Sequence, residues 1–548
     1  MGQLYCGAAK RCITPDKDML KDLVGLKQHR FAGILDDIYV RVMAIGTKER
    51  MALVISFDLT TAPCSEEFLA KLSAQAGVRR EDILFFSIHT HAVPFNDLDL
   101  EERERQSEET LAACRAYTSF LHEQVLAAAA EASAKAVPAR MGYVRDESHV
   151  NVVRLQDYRV REKDSESASS EFRAKARGGK DPVRTVIGLG ADPSAYADPT
   201  LFVLRVESLA GDPIAFLVNY AMHNVATIWN DYDGNGAMGI SGDIGGGVSR
   251  LLEEHYEGAV ALWSSAAAGD LNPLMLNEVI LPDPETGAPR EYHPEGTSYA
   301  RWCLRIMTAR HGADVLRAAE RIECGQREAG SGSDFSLRSG EEAGSGSDFS
   351  LRSGEEAGSG SDFSLCSGEE AGSRSKSVRS GEGNSESCAG VGNDLLKDPA
   401  GRDVYDVHMD GTVESVIEWS VTPGCECIRH HDAPPEFVTG DGVPDHTVRL
   451  HMLRIGRVVL LGVGAELYSS IGRAMLEAAP EDAVLISHNA STLCHSHYIL
   501  DDATMERCRR SGKYAMIPGY DEYRCCEGVM RQDLTGHVAH MTEQLQWE

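Results

Sequence analysis

At 548 residues with abundant apolar side chains, the chain is long enough for one or two α/β domains with insertions. A formal net charge of −30 argues against nucleic acid or an anionic membrane surface as the main partner, because phosphate groups would be repelled. The N-terminal MGQLYCGAAKRCITPD lacks the apolar core of a secretory signal, and no stretch nears the ~18 apolar residues of a membrane span, so a cytoplasmic protein without a transmembrane segment is expected.

Fourteen cysteines without a repeating framework fit a reducing compartment, and the close pairs Cys425-x-Cys427 and Cys525-Cys526 are read mainly as structural. From Leu4 to Ile13 the chain is extended up to Thr14-Pro15. Ile38 to Ile45 and Met51 to Ser56 read as neighbouring strands around the charged turn Lys48-Glu49-Arg50, the second meeting Asp58 just past its end. An amphipathic helix comes next over Ser65 to Ala76, with Ser65 as N-cap and Glu66 and Glu67 in its first turn.

The next apolar run, Ile83 to Ile88, suits a buried strand and ends in His89-Thr90-His91. Strand side chains alternate, so positions i and i+2 would put both imidazoles on one side of the sheet, where they can converge on a metal. Two core histidines bonded to backbone are the other reading of the same pair. Strand, helix and strand in this order make a βαβ unit, which favours parallel pairing and places site residues at the carboxyl ends.

Glu101 to Ala136 is helical, stopped by Pro138, and a polar stretch from Glu162 to Arg177 reads as a mobile loop. Strands resume at Leu201 to Val206 and Pro213 to Tyr220, the latter running out into Met222-His223-Asn224. Glycine is dense from Gly234 to Gly247, ahead of a helix over Val248 to Tyr256. Such a stretch allows positive φ and close approach to a ligand, and a helix N-terminus offers N–H groups to an anion. Val260 to Ser264 is the next strand, leading to Gly269-Asp270-Leu271-Asn272-Pro273.

From about Glu328 the composition changes. SGSDFSLRSGEEAG starts at Ser331 and recurs at Ser345 and, with Cys366 in place of arginine, at Ser359, a period of 14 residues. So little apolar surface per unit does not offset the entropy of ordering, so a disordered insertion over 328–395 is expected, interrupting one domain formed by 1–327 and 396–548. Further strands are expected over Thr412 to Ser420, His446 to Ile455 and Val458 to Val463, the last leaving at Gly464-Ala465-Glu466. A helix over Leu467 to Ala478, a strand over Ala483 to Ser487, a tyrosine-rich region (Tyr498, Tyr514, Tyr520, Tyr523) and a terminal helix over Thr535 to Leu545 complete the chain. The expected fold class is α/β, with mixed central sheets covered by helices.

Separate strand ends thus carry His89 with His91, His223 and Glu466, with Tyr498 as a further candidate. Two histidines and a carboxylate with an open position let Zn²⁺ lower the pKa of bound water to about 7.

The ordered set Gly7-Ala8-Ala9-Lys10, Ile13-Thr14-Pro15, Asp36-Asp37-Ile38, Ser56-Phe57-Asp58, His89-Thr90-His91-Ala92-Val93-Pro94, Asn219-Tyr220-Ala221-Met222-His223, Ser241-Gly242-Asp243, Gly269-Asp270-Leu271-Asn272-Pro273 and Gly464-Ala465-Glu466 resembles the neutral/alkaline non-lysosomal ceramidase family. The likeness spans nearly the whole chain outside the repeats. It implies a zinc amidase cleaving the N-acyl bond of ceramide, with one Zn²⁺ per chain held by His89, His223, Glu466 and Tyr498. It further implies a catalytic pocket with His91, Asp270 of the Gly-Asp motif, and Arg154 as a substrate-binding arginine.

Two departures bear on the chemistry. Where the family has a serine in Gly-Asp-x-Ser-Pro, this chain has Asn272, whose carboxamide has no ionisable hydroxyl and is left to orient a substrate or donate to an oxyanion. A counterpart of the family's C-terminal immunoglobulin-like domain is also not expected. The leading expectation is therefore a ceramidase-like zinc hydrolase acting on an amide or ester of a small or lipid-like molecule through metal-activated water, with His91 as proton shuttle and Asn272 as polariser. A genuine ceramidase and an inactive zinc-stabilised scaffold are the alternatives. Nothing in the sequence sets the oligomeric state.

Overall fold

The computed structural model describes residues 2–96, 106–161, 183–322, 396–397, 403–405, 410–422, 446–488, 498–511 and 529–545. The polar stretch after Glu162, the 14-residue repeats, Tyr514, Tyr520, Tyr523 and both close cysteine pairs lie outside the described residues. Contacts divide the chain into two compact units, Met1–Gly325 with Leu395–Glu548, and Gln326–Asp394.

The first unit is a mixed α/β structure with several sheets. Its longest sheet has an eight-strand path in the order Val260–Ser265, Pro213–Tyr220, Thr200–Ser208, Val137–Glu147, Tyr5–Cys12, Tyr39–Gly46, Met51–Phe57, Ile83–Ser87. A four-stranded sheet runs Val413–Thr422, His446–Ile455, Val458–Val463, Ala483–Ile486.

One ββαβ motif occurs three times within these sheets: an antiparallel hairpin, a crossover helix, and a third strand parallel to the second. The first copy is Tyr39–Gly46, Met51–Phe57, helix Glu66–Ala76 and Ile83–Ser87. The second is Thr200–Ser208, Pro213–Tyr220, helix Asp243–His255 and Val260–Ser265. The third is His446–Ile455, Val458–Val463, helix Ser469–Glu477 and Ala483–Ile486. In each, the second and third strands are parallel, so their carboxyl ends leave the sheet on the same side.

Alternation along the strands explains why they read as unbroken apolar runs. Leu53, Ile55 and Phe85 face a core under helices Glu66–Ala76 and Glu108–Ala134. Val54, Leu84 and Phe86 face a second core, where they meet Leu217 and Leu262 of the second copy and Leu460 and Val484 of the third. Strands buried on both faces need apolar residues at every position. The shared second core brings the three copies together.

Local signals behave as the sequence indicates at helix Glu66–Ala76, where Ser65 Oγ accepts the Phe68 N–H at 3.1 Å and Gly77, at φ 67°, ends the helix. The glycine-rich stretch differs. The helix expected from Val248 begins at Asp243, so Gly245, Gly246 and Gly247 lie inside it. Its first N–H groups are already bonded by the protein: Gly242 N to Asp36 Oδ1, Asp243 N to Ser241 Oγ, and Gly245 N to Asn224 Oδ1. No donor of that first turn remains for an anion. A Cβ on Gly245 would stand 2.8 Å from the Trp263 ring and one on Gly247 2.7 Å from Thr308 Oγ1, so these glycines permit close packing, not ligand approach. Among the described residues, no helix is long and apolar enough to cross a membrane.

Candidate metal centre

The motif copies place the site residues at matching offsets. His223 stands three residues past Tyr220 and Glu466 three past Val463, each at the exit of a second strand. His89 stands two residues past Ser87 and His488 two past Ile486, each at the exit of a third strand. Both of these histidines are left-handed, at φ 61° and 60°, an uncommon state for a residue with a Cβ.

The strand Ile83–Ser87 therefore ends before His89, and alternation along a strand is not what pairs His89 with His91. Their rings meet after the chain has turned, edge to face with centres 4.8 Å apart. A bridge between Thr90 and Asn224 ties this turn to the exit that carries His223, and Gly269 N–H donates to Leu467 O, tying the second copy to the exit that carries Glu466.

Hydrogen bonds fix which ring nitrogen faces the cluster. His89 Nδ1 lies 3.1 Å from Thr60 O, and His223 Nδ1 lies 2.7 Å from Ala268 O and 3.1 Å from Leu271 O. A nitrogen facing a carbonyl must carry the proton, so in the neutral ring Nε2 holds a lone pair. Burial pulls the pKa of His223 down to about 4, which keeps that Nε2 bare at neutral pH.

Both Nε2 atoms aim at one oxygen. His89 Nε2 is 3.1 Å and His223 Nε2 3.2 Å from Glu466 Oε2, and Tyr498 Oη is 3.2 Å from His223 Nε2. Burial works to raise the Glu466 carboxyl, but the imidazoles of His89, His223 and His488 around it outweigh this and hold it well below the usual carboxylate range. Two imidazole nitrogens, a carboxylate oxygen and the Tyr498 hydroxyl thus crowd one buried point, and the contact from His89 Nε2 lacks hydrogen-bond geometry. A cation could be held at that point. A tetrahedral ion with bonds of about 2.0–2.2 Å sets its ligand atoms roughly 3.3–3.6 Å apart, close to the spacing found here. The donor set fits a divalent ion of the zinc type.

The other residues singled out in the sequence fall into two groups. His91 belongs to the cluster: its ligand nitrogen lies within 4.8 Å of those of His89 and His223, and both its ring nitrogens are buried without a hydrogen-bond partner. Arg154 reaches it from the side, donating from Nε and Nη2 to Gly269 O at 3.0 and 2.6 Å while its guanidinium stands 5.1 Å from the centre of the Tyr498 ring. Tyr498 is held by strand pairing with Glu466. Asp270 spends both oxygens on Ser469, accepting from its N–H and its hydroxyl at 2.7 Å each, and so anchors the start of helix Ser469–Glu477. Asn272 pairs with Val152, and its Oδ1 is buried without a partner.

Two further residues escaped the sequence reading. His488 is buried, within ligand distance of His89 and Glu466, and stacked on His89. Its signal was present, since Ala483–Ile486 is another apolar strand with histidine at its exit. Tyr468, two residues past Glu466, packs on Gly269 and keeps a fully buried hydroxyl with no partner. An unpartnered buried group costs about 1–3 kcal/mol, so the fold keeps this hydroxyl there at a cost.

No family model and no curated protein matches the chain. Among solved structures it is similar to that of neutral ceramidase from Pseudomonas aeruginosa and to a ceramidase complexed with C2. In each case the match has 14% sequence identity and a TM-score of 0.56, and covers 100% of this chain and 76% of the other. The chain has the fold of neutral ceramidase.

Proposed function

We propose that this protein is a metal-dependent hydrolase cleaving an amide or ester bond, with zinc as its ion and a small or lipid-like N-acyl compound as substrate. The observation that carries the reading is the convergence of His89 Nε2 and His223 Nε2 on Glu466 Oε2, at 3.1 and 3.2 Å, three ligand-type atoms gathered at one buried point. The fold shared with neutral ceramidase supports it.

His89, His223 and Glu466 would hold the ion, with Tyr498 Oη beside His223. Zinc bound there supplies Lewis acidity, lowering the pKa of water to about 7 and polarising a carbonyl. Burial, with the neighbouring histidines, keeps His91 well below its ordinary pKa, so its ring is neutral and can take up a proton at a nitrogen that nothing else occupies. Asn272 has no hydroxyl to attack with and serves as an orienting carboxamide. Arg154 keeps Gly269 and the Tyr498 ring in place, and Asp270 holds the turn around Ser469.

The test is metal analysis of zinc-treated protein, then a panel of chromogenic amides and esters together with ceramide. One ion per chain and turnover that is lost in His91→Ala are expected. Uptake well below one ion per chain would sink the reading, and turnover indifferent to His91→Ala would remove the assigned role. Asn272→Ser probes a genuine ceramidase reading, which the shared fold favours: ceramide cleavage already present in the native chain, or gained in this variant, would establish that the pocket accepts that lipid.

A further inference from the structure

With four imidazoles, the Glu466 carboxylate and the Tyr498 hydroxyl, the cluster offers more donors than one tetrahedral ion takes up, and His488 is the one whose placement is unlike the rest. The rings of His89 and His488 lie parallel, 10° apart in plane, with centres 3.9 Å apart. Those of His89 and His223 are steeply inclined, with centres 5.3 Å apart. For a metal–nitrogen bond of about 2.0–2.1 Å, a ring centre stands roughly 3.2 Å from the ion, so 5.3 Å corresponds to roughly 110° at the ion and 3.9 Å to roughly 75°. The first is tetrahedral and the second is too acute. His89 and His223 can share a tetrahedral ion as they stand, whereas the stacked rings of His89 and His488 are too close together to do so.

We propose that His488 is a positioning residue for His89: its ring forms a flat platform that, together with the Nδ1 bond to Thr60 O, locks the plane and tautomer of the metal-facing imidazole. The inference rests on the metal-dependent hydrolase reading. The two restraints on His89 are complementary. Thr60 O holds the ring at its edge but leaves it free to swing about that bond, and the stacked ring blocks the swing. Matching backbones make the stack possible, because each histidine stands two residues past a third strand in the left-handed state and presents its ring to its counterpart from the other sheet. The strained backbone at both positions is thus accounted for by one contact.

The experiment compares His488→Ala, which removes the platform, with His488→Phe, which keeps a flat ring and removes both nitrogens. Zinc affinity is read by competition with a chromophoric chelator, and the ligand field from the visible bands of the cobalt-substituted protein. The expected result is a loss of roughly tenfold to a hundredfold in affinity for the alanine variant, near-native affinity for the phenylalanine variant, and cobalt bands unmoved in the latter. An equal loss in both with shifted bands would make His488 a ligand, and native affinity in both would leave it without a role. Either outcome overturns the proposal. A second arm needs no metal: in metal-free protein labelled with ¹⁵N-histidine, His89 should show the Nδ1–H tautomer in the native and phenylalanine forms and a tautomer mixture in the alanine form. If the native protein binds no metal, the hydrolase reading fails while this arm still decides the part played by His488.

Discussion

Two buried polar clusters sit at strand exits of this protein, and they differ in whether donors meet acceptors. At the first, Arg41 Nη1 donates to both oxygens of Asp58 at 2.8 Å, Arg41 Nε donates to Glu253 Oε1 at 2.9 Å, and Lys10 donates to the other Glu253 oxygen at 2.7 Å. Two cations face two carboxylates, and only Arg41 Nη2 is left over. At the second, two imidazole nitrogens crowd one Glu466 oxygen, and His89 Nε2 makes no hydrogen bond. A buried group that is satisfied within the chain reads as architecture, and a buried group aimed at another acceptor reads as a site for something from outside.

Removing a partner should therefore have different consequences in the two places. Arg41→Met leaves Asp58 and Glu253 buried without compensation, and a loss of about 3–5 kcal/mol in denaturant unfolding is expected; a loss under about 1 kcal/mol would erase the contrast. Glu466→Gln should weaken zinc binding by roughly a hundredfold or more. In metal-free protein the same change should lower the unfolding midpoint by less than Arg41→Met does: the carboxyl is held well below its usual range, so its charge stabilises the fold, but the carboxamide keeps an oxygen facing the same neighbours. A drop comparable to that of Arg41→Met would mean that the histidines are protonated partners of Glu466.

His311 sharpens the comparison, being satisfied yet titratable. It accepts from Trp263 Nε1 at 3.3 Å and lies 3.0 Å from Ser148 Oγ, and burial pulls its pKa down to about 4. The unfolded ring, with a pKa near 6.5, binds a proton first, so stability that is intact above that pH is lost as pH falls toward 4, by roughly 3 kcal/mol in all. Urea titrations across this range should show the slope in the native chain and a shallower one in His311→Gln. The smallest effects belong to the glycines of helix Asp243–His255. Gly245→Ala should cost about 1–3 kcal/mol through its clash with Trp263. Gly246→Ala, whose Cβ would stand an ordinary 3.4 Å from Asp58, should gain about 0.5–1 kcal/mol as a helix-interior substitution. Equal effects at the two positions would remove the packing explanation.

Much of this was legible in the sequence because the strands are buried on both faces and therefore stand out as apolar runs with a polar residue at the exit. His89, His223 and Glu466 stand out that way, Tyr498 comes from the family resemblance, and Ser65 marks a helix start through its own chemistry. The convergence was not legible, because it depends on which sheets share a core, and no local period reports that. His488 carried the same exit signal but comes after a strand of four residues. The glycine run misled for a different reason: glycine density shows that something comes close to the backbone, and cannot tell a tryptophan of the same chain from a ligand. Asp270 sits in a motif that suggests chemistry, yet its bonds to Ser469 become visible only with helix Ser469–Glu477 in place.

The three motif copies also set an order in time. His223 and Glu466 touch across 243 residues of sequence, so the site does not exist until the third copy has docked on the other two. Contacts of such long range are the slow ones in folding, and chains fold their earlier portions first during synthesis. On the proposed metal-dependent reading, metal uptake would be a clock for the last stage of maturation: in refolding, the cobalt bands should emerge only after the far-ultraviolet signal of the sheets and helices has settled.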